Sequence, residues 1–414
     1  MSENQQHTLP AESSAPSQTL PTHPTDAQRP LLTDEQLAHL PAQHPLRAGT
    51  AASSPMLQAL TGRPSSHRPV WFMRQAGRSL PEYRRVREGI PMLEACLTPE
   101  LAAEITVQPV RRHKVDAGIF FSDIVIPMKL AGVNVDIVPG KGPVLDRPVR
   151  TLEDVRALPE LTESALDPIR EAIAATVEML GDTPLIGFAG APFTVAAYMV
   201  EGGPSRDHLR PRTMMHADPA AWDRLMTWCA RLTGEFIATQ VRAGAAAAQL
   251  FDSWAGSLSP RAYRERVAPY SALALDVARQ AVSPTTGEAA PLIHFGTGTA
   301  RLLGLMRQAG ADAVGVDERI ELGEAIEALA EADPQAGACP VQGNLDPALL
   351  AAPWPILAEE LDAVLAAGRA APGHVVNLGH GVPPATDADV LTRIVARVHG
   401  SADWESVALA GWEA

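Results

Sequence analysis

Apolar residues recur along the chain in short runs from about residue 55 onward, and each run ends in polar residues or glycine. In runs such as residues 118–121 and 185–188 the apolar positions are successive rather than alternating. Successive apolar positions are typical of strands covered on both faces, as in a parallel sheet wrapped by helices. The pattern predicts eight strands: Pro69–Gln75, Ala117–Ser122, Leu185–Ala189, Ala247–Asp252, Leu292–Gly296, Ala313–Asp317, Pro340–Gly343 and Val375–Leu378.

The segments between these runs carry the signals of helix ends. Thr98-Pro99-Glu100 supplies an N-cap residue, a proline at the first helical position and an acid in the first turn. Asp218-Pro219 opens a long helical segment toward Gly244, and Gly310 is expected to end a helix over Arg301–Gln308. Strands alternating with helices predict an α/β fold, a (β/α)8 TIM-type barrel in a single domain over residues 53–414. A doubly wound open sheet is the alternative, but no GxGxxG motif follows the first strand.

The N-terminal segment, residues 1–52, has a different composition. Residues 1–50 contain seven prolines and no Phe, Trp or Tyr, and the first aromatic residue of the chain is Trp71. Such a segment buries too little apolar surface to offset the entropy lost on ordering. We therefore expect residues 1–52 to form a disordered tail with no part in the chemistry.

The net charge of −14 narrows the classes of partner. A nucleic-acid-binding protein needs a basic face to neutralise phosphates, and an acidic surface is repelled by an anionic membrane. The sequence has no secretory signal and no run of about twenty apolar residues, so we expect no membrane span. Cys96, Cys229 and Cys339 form no CxxC pair, which fits a reducing compartment. These features predict a cytoplasmic protein, and a local basic cluster would still let it bind an anionic small molecule.

The chemically unusual residues fall where the predicted strands end. In chain order these ends are Arg74, Asp123, Gly190-Ala191-Pro192, Asp252-Ser253, Gly296-Thr297-Gly298, Asp317, Gly343-Asn344 and Gly379-His380-Gly381. The active site of a TIM-type barrel lies at the carboxyl ends of its strands. The pattern therefore predicts one candidate site built from these residues.

Residues 74–87 hold the densest signal, five arginines against one acid in a chain that is acidic overall. The planar guanidinium group binds both oxygens of a carboxylate at once, so this segment favours an anionic, carboxylate-bearing ligand. We expect Arg74 and Arg78 to bind it, because they flank a strand end and a glycine. Arg84 and Arg85 are more simply explained as part of a solvated basic helix.

Two further residues are candidates for the chemistry. Asp123 lies inside an apolar run, where a carboxylate is costly unless it is satisfied by a ligand, by an arginine or by capping the next segment. His380 lies between two glycines, which let a ligand approach closely. Taken alone, Tyr198 is more typical of a core tyrosine, and His294 of a buried structural histidine.

Six motifs occur in the order found in one known family. They are PVWFMRQAGRSLPEYR (69–84), FFSDI (120–124), LIGFAGAPFTVAAYMVEGG (185–203), QLFDSWAG (249–256), QGNLDP (342–347) and NLGHG (377–381). From about residue 55 to the C-terminus the chain resembles the uroporphyrinogen decarboxylases. It departs from them at Glu318, where the family usually has tryptophan, and Trp254 stands where some members have histidine.

The resemblance implies a carboxy-lyase of porphyrin and haem biosynthesis. Such an enzyme is a cytosolic homodimer that converts the four acetate side chains of uroporphyrinogen III to methyl groups, giving coproporphyrinogen III, with no metal or organic cofactor. Carried over by position, the residues expected to bind substrate are Arg74, Arg78, Arg87, Asp123, Tyr198, Ser253 and His380. Those expected to take part in catalysis are Asp123, Arg74, Tyr198 and His380.

The expected mechanism needs no external electron sink. Protonation of a pyrrole carbon makes a cationic ring that accepts the electrons left by departing CO2, and the Asp123 carboxylate would stabilise that cation. The proton donor stays open. A guanidinium such as Arg74 holds its proton too tightly to be a good acid, and a water molecule or His380 is the alternative.

Two other functions compete with this one. A zinc-dependent methyltransferase of the same barrel superfamily needs a His-x-Cys pair and a further cysteine, whereas this chain has His294-Phe295-Gly296 and an isolated Cys339. A non-catalytic tetrapyrrole-binding protein would have no need to keep Arg74 and Asp123 together.

Overall fold

A parallel sheet forms the centre of the fold. The computed structural model describes residues 50–334 and 337–400. The strands are β1 (Gly118–Ile119), β2 (Val135–Val138), β3 (Gly142–Leu145), β4 (Leu185–Gly190), β5 (Ala247–Phe251), β6 (Leu292–Phe295), β7 (Ala313–Gly315), β8 (Val341–Gln342) and β9 (His374–Val375). The seven-stranded sheet has the order β1-β4-β5-β6-β7-β8-β9, and every neighbouring pair in it is parallel. Strands β2 and β3 pair separately as an antiparallel hairpin.

Helices connect successive strands of the sheet. They are α1 (Pro55–Leu60), α2 (Pro81–Val86), α3 (Met92–Leu97), α4 (Pro99–His113), α5 (Ile126–Leu130), α6 (Leu152–Arg156), α7 (Asp167–Leu180), α8 (Pro192–Glu201), α9 (Leu209–Ala217), α10 (Pro219–Arg242), α11 (Pro260–Arg266), α12 (Ala268–Arg279), α13 (Leu303–Gln308), α14 (Leu322–Ala332), α15 (Trp354–Ala367) and α16 (Ala388–Val398). Short 3-10 helices cover Thr50–Ser53, Glu163–Leu166, Ala255–Ser257, Ala300–Leu302, Pro347–Ala351 and Gly368–Ala370. Within the described residues, no helix is both long and apolar enough to cross a membrane.

The strands are buried as their sequences predict. Every residue of β4, β6 and β7 is buried, so both faces of these strands are covered. Side chains from non-neighbouring strands also meet: Gln342 of β8 donates to Gln249 of β5 (2.9 Å) and accepts from the indole of Trp71 (3.0 Å). Such contacts across the interior require a curled sheet. The α/β prediction is therefore confirmed, with helices outside a curled parallel sheet of seven strands.

Seven of the eight predicted strands lie in this sheet, although most are shorter than predicted. The prediction was wrong for Pro69–Gln75, which forms only a single parallel bridge, between Val70 and Val376. The N–H of Trp71 donates to the carbonyl of Val376 (3.2 Å), and the N–H of Asp116 donates to the carbonyl of Val70 (2.9 Å). The segment thus contacts chain next to both edge strands, β9 and β1.

Side chains take the hydrogen bonds that would otherwise extend this segment into a regular strand. The N–H of Phe72 donates to Oε1 of Gln75 (3.0 Å), and the N–H of Met73 donates to Oδ1 of Asn377 (3.0 Å). Backbone groups satisfied by side chains need no partner strand. The apolar pattern was read correctly as buried chain, but it carried no sign of this substitution.

Two of the three predicted helix starts agree with the structure, with one difference in capping. Helix α10 begins after Asp218, whose carboxylate accepts from the N–H of Ala221 (3.0 Å), as an N-cap residue should. Helix α4 begins at Pro99 as predicted, but the Thr98 hydroxyl donates to the carbonyl of Glu94 (2.9 Å) and forms no cap bond. The sequence therefore predicted where helix α4 starts, but not the hydrogen bond that the Thr98 side chain makes.

The third predicted helix is shorter than expected at its start. Ala300–Leu302 is a 3-10 turn, and the α-helix covers Leu303–Gln308. Gly310 follows with φ +107°, a conformation that favours glycine, as expected for a residue that ends a helix. Of the predicted N-terminal tail, residues 1–49 lie outside the described part of the chain, and the 3-10 helix at 50–53 covers the remainder.

Residues from the N-terminal and C-terminal parts of the described chain meet at Asp116. Its carboxylate lies 2.6 Å from Nε2 of His67 and 2.8 Å from Nε2 of His399, and it accepts the N–H of Val70 (2.8 Å). These contacts lower the pKa of Asp116 although its burial acts to raise it. Because Asp116 precedes β1, this cluster lies at the amino ends of the parallel strands.

Candidate active site

Arg74 lies near the end of the segment Pro69–Gln75, where that segment contacts the chain that follows Val375–Leu378. Its backbone has φ +61°, and the carbonyl of the preceding Met73 accepts the N–H of Val382 (2.8 Å). A side chain at Gly381 would meet Cγ and Cδ of Arg74, so the glycine leaves room for the arginine side chain to lie in this position. The Arg74 side chain is exposed, and no hydrogen bond or ion pair engages its guanidinium within the described residues.

Asp123 follows β1 and precedes the short helix α5. Its Oδ1 accepts the N–H of Val125 (3.1 Å), a local turn bond before the helix, and α5 itself has no side-chain cap bond. Burial raises the pKa of the Asp123 carboxyl, although the Val125 N–H and the charge of Arg74 both act to lower it. Asp123 is thus a partly buried acid with the cation of Arg74 near enough to affect its ionisation.

Tyr198, on α8, is held in an aromatic stack. Its ring lies 4.0 Å from that of Trp254, centroid to centroid, at an interplanar angle of 25°. His208 stacks on Trp254 as well, with centroids 4.3 Å apart. Burial and the negative charge of Asp123 raise the pKa of Tyr198 to about 12. The tyrosine hydroxyl therefore stays protonated at neutral pH and is available as a neutral hydrogen-bond donor.

His380 follows β9 and is exposed. Partial burial of its ring and the charge of Arg74 lower its pKa, and Glu318 opposes the shift. His380 is therefore neutral at physiological pH. Glu318 packs against Gly379, so the residue at which the chain departs from the family motif lies beside this histidine.

The other arginines have different surroundings. Arg78 is exposed, and its guanidinium, like that of Arg74, has no hydrogen bond or ion pair within the part of the chain that the structure describes. Arg87 donates instead to the backbone carbonyls of Ile90 (2.6 Å) and Pro91 (2.8 Å). Part of its hydrogen-bonding capacity is therefore used to fix the loop after α2.

Ser253 comes directly after the buried Asp252 at the end of β5. Its carbonyl accepts the hydroxyl of Thr297 (2.8 Å), which fixes the backbone, while the side chain is partly exposed. Trp254 follows and brings the loop against Tyr198.

The structure thus brings most of the predicted site residues together. The charge of Arg74 acts on Asp123, Tyr198 and His380, so these four share one electrostatic environment. Ser253 joins them through the Trp254 stack. Sequence reasoning missed His208 and Thr194. Neither had a local signal, because the contacts that involve them join chain segments far apart in sequence.

Candidate metal ligands are few in the described residues. Across residues 50–334 and 337–400, one group has suitable donor atoms close together, namely His67, Asp116 and His399. Those atoms already hydrogen-bond to one another, and they lie at the amino ends of the strands rather than at the site. His294 lies beside Asp252 and has no cysteine grouped with it in this part of the chain, so the methyltransferase ligand set is not formed.

Comparison with known proteins identifies the family. The family model described as uroporphyrinogen decarboxylase (URO-D) matches residues 51–401. The chain belongs to the uroporphyrinogen decarboxylase family. It is 64% identical over 351 residues to the uroporphyrinogen decarboxylase of Arthrobacter sp. (strain FB24), a match that covers 85% of this chain and 98% of that protein.

Other relatives agree. The uroporphyrinogen decarboxylase of Leifsonia xyli subsp. xyli is 57% identical over 371 residues, covering 86% of this chain and 97% of the relative. Among solved structures, a methyltransferase from Methanosarcina mazei superposes with a TM-score of 0.68, covering 84% of this chain and 98% of its own. At 17% identity that likeness concerns the fold alone. Membership of the uroporphyrinogen decarboxylase family makes the protein a carboxy-lyase.

Proposed function

We propose that the site decarboxylates the four acetate side chains of uroporphyrinogen III to methyl groups, giving coproporphyrinogen III and CO2. The observation that carries this is the shared environment of Arg74, Asp123, Tyr198 and His380 in a member of the uroporphyrinogen decarboxylase family. It combines a carboxylate, a cation with unused donors, a neutral hydroxyl donor and a neutral imidazole. Those are the groups needed to hold a polyanionic substrate and stabilise a transient cation.

Asp123 has the central role in this proposal. When a pyrrole carbon of the substrate is protonated, the ring becomes cationic and accepts the electron pair of the breaking C–CO2 bond. A proton then adds to the former acetate carbon, which becomes a methyl group, and the ring carbon loses the proton that it took up first. The pyrrole is thus restored, and one proton is consumed for each CO2 released. The Asp123 carboxylate is fixed through Val125 and would interact with the pyrrole N–H groups and stabilise the cation.

Arg74 and Arg78 would bind the substrate carboxylates. Both are exposed and hold guanidinium donors that no described residue uses, which suits a bidentate grip on a carboxylate. Arg87 is proposed for the same role through its Nη2, since Nη1 donates to the carbonyls of Ile90 and Pro91, Nε donates to the Tyr83 hydroxyl, and Nη2 has only the weak acceptor Sδ of Met92.

Tyr198, Ser253 and His380 would complete the substrate contacts. Tyr198 stays protonated, and its hydroxyl would donate a hydrogen bond without adding charge. His380 is neutral at physiological pH because its pKa is lowered, so it would donate or accept a hydrogen bond. Because a neutral imidazole is a poor acid, the first proton would come from the protonated form of His380 or from a water molecule. A His380→Gln variant tests the first possibility, since loss of a required donor should remove most of kcat, whereas a water donor should leave kcat largely unchanged.

For the architecture we propose a closed (β/α)8 barrel over residues 53–400. The supporting observations are the contacts of the 69–73 segment with chain beside both β1 and β9, and the interior bonds among Trp71, Gln342 and Gln249. In a closed barrel, residues 69–73 would occupy the position of the eighth strand, and the site would lie at the carboxyl ends.

We propose further that the enzyme is a cytoplasmic homodimer that needs no metal or organic cofactor. Support comes from its resemblance to the family and from Cys96, Cys229 and Cys339, which are all free and buried. Light scattering of the purified protein tests the dimer. A monomer at micromolar concentration would contradict it.

The activity itself is tested by product analysis. Purified protein is incubated anaerobically with uroporphyrinogen III, and the oxidised products are separated by chromatography. Coproporphyrin III, with intermediates carrying seven to five carboxylates, is the expected result. Tight binding of substrate without any loss of carboxyl groups would instead identify a tetrapyrrole-binding protein that has lost the chemistry.

A further inference from the structure

A buried carboxylate lies directly behind the candidate site. Asp252 is fully buried at the end of β5, and its Oδ1 accepts the hydroxyl of Thr194 (3.0 Å). Its Oδ2 lies 3.6 Å from Nε2 of His294, which is fully buried on β6. A carboxylate taken out of water destabilises a fold unless its partners compensate for the lost hydration.

The compensation for Asp252 is incomplete. Within the described residues, neither Oδ2 of Asp252 nor either ring nitrogen of His294 has a hydrogen-bond partner. Tyr263 is buried beside them, and its pKa is raised by burial and by the charge of Asp252. Buried polar groups left partly unsatisfied are costly, so packing alone gives no reason for an aspartate at this position.

Asp252 is connected to Tyr198 through Thr194 and Trp254. Thr194 and Tyr198 are four residues apart on α8 and therefore lie on the same face of the helix. The N–H of Trp254 donates to the same Thr194 hydroxyl oxygen (3.4 Å), and the Trp254 ring stacks on Tyr198. The loop of residues 252–254 thus contacts α8 at two successive turns, through a hydrogen bond at Thr194 and through the aromatic stack at Tyr198.

We propose that Asp252 is a positioning residue, which acts through Thr194 and Trp254 to fix the Tyr198 side chain beside Asp123. His294 is the buried neighbour of this carboxylate on β6, 3.6 Å from its Oδ2. The inference rests on the proposed role of Tyr198 in the reaction. Displacement of a catalytic group by about 1 Å costs up to about a hundredfold in rate, so a rigid support is a functional requirement.

The test removes one hydroxyl and leaves the charges intact. Thr194→Val is nearly isosteric, cannot bond to Asp252, and should lower kcat by about ten- to a hundredfold. KM should change much less, because Arg74 and Arg78 are untouched. Thr194→Ser keeps the hydroxyl and should restore most of kcat. Thr176→Val removes another buried threonine hydroxyl, bonded within α7 (2.6 Å), and should leave kcat unchanged.

A spectroscopic readout separates positioning from general loss of stability. Near-ultraviolet circular dichroism reports the Trp254 stack, whose contribution a Trp254→Phe variant defines. Thr194→Val should lose that contribution, whereas Thr176→Val should keep it. Wild-type kcat in Thr194→Val overturns the proposal, and so does a reduced kcat with the Trp254 signal intact.

A further variant keeps the two proposals distinguishable. Tyr198→Phe tests whether the tyrosine hydroxyl takes part in the reaction at all. If Tyr198→Phe has wild-type kcat, the role assigned to Tyr198 fails, and with it this inference. If Tyr198→Phe is impaired while Thr194→Val is not, only the positioning by Asp252 fails. In the double variant, Thr194→Val should add no further loss, because both changes act through one group.

Discussion

Asp123→Asn separates substrate orientation from stabilisation of a cation. Asparagine keeps the size of the side chain and an oxygen that can still accept the N–H of Val125, so the start of α5 should be preserved. It removes the negative charge. An aspartate that only orients the pyrrole N–H groups would give mainly a higher KM, whereas one that stabilises the cation would give a lower kcat, because the cation exists only near the transition state.

The magnitude follows from the surroundings of the carboxylate. A unit charge about 4 Å away in a partly buried site, with an effective dielectric constant of about 20, interacts by about 4 kcal/mol. Each 1.36 kcal/mol is a factor of ten in rate, so loss of most of this interaction lowers kcat by about 10²–10³-fold. Because burial raises the pKa of Asp123, its ionised form costs stability at neutral pH, and Asn should not lower the melting temperature.

The assay measures kcat and KM separately and adds a thermal melt. Asp387→Asn is the matched control, because Asp387 also accepts a backbone N–H two residues ahead (3.1 Å) but is exposed at the start of α16. It should leave kcat unchanged. As the pH decreases, the wild-type kcat should fall when Asp123 becomes protonated. Because the pKa of Asp123 is raised, this fall should occur at a pH above 3.8, its ordinary pKa. A near-normal kcat in well-folded Asp123→Asn would refute the proposed mechanism.

Three further predictions concern binding, cofactors and stability. Arg74→Lys should lower kcat/KM at least tenfold, because an ammonium group cannot bind both oxygens of a carboxylate as a guanidinium does. The control variant Arg85→Lys should leave kcat/KM unchanged. Equal kcat/KM in the two variants would mean that Arg74 acts only through its long-range charge. Exhaustive chelation should leave turnover unchanged, and activity restored only by an added metal would contradict this. Burial lowers the pKa of His113 to about 3, so between pH 6.5 and 3 the unfolded chain binds a proton that the folded chain does not bind. As the pH decreases through this window, the free energy of unfolding should decrease by up to about 1.4 kcal/mol per pH unit from this residue. Urea unfolding at pH 7 and 4.5 should therefore show a smaller decrease for His113→Asn than for the wild-type protein.

The fold was predictable as far as apolar runs report buried strands. β4 and β6 were located within one residue at each end, because all their positions face packed neighbours. The hairpin β2–β3 was missed, although Pro139-Gly140 between two short runs is a turn signal. The Pro69–Gln75 segment was predicted as a strand because its apolar residues indicate burial, and burial alone does not show which groups its backbone bonds to. The N–H of Phe72 is satisfied locally by Gln75, whereas the bond from the N–H of Met73 to Asn377 comes from tertiary structure.

The candidate site was predictable where one residue carries the chemistry. Arg74, Asp123 and His380 stand out because a charged or titratable group at a strand end is unusual, and the family motifs place them in order. The support around them was not predictable. Thr194 and Asp252 are 58 residues apart, and nothing local in either segment indicates the bond between their side chains.

The stoichiometry of CO2 release from uroporphyrinogen III by the purified protein, without added cofactor, tests the proposed function directly. We expect four CO2 per substrate molecule at completion, with coproporphyrinogen III as the final product. The Asp123→Asn variant should release CO2 at about 1% of the wild-type rate or less. Binding of uroporphyrinogen III with no CO2 released by the wild-type protein would refute the proposed decarboxylation.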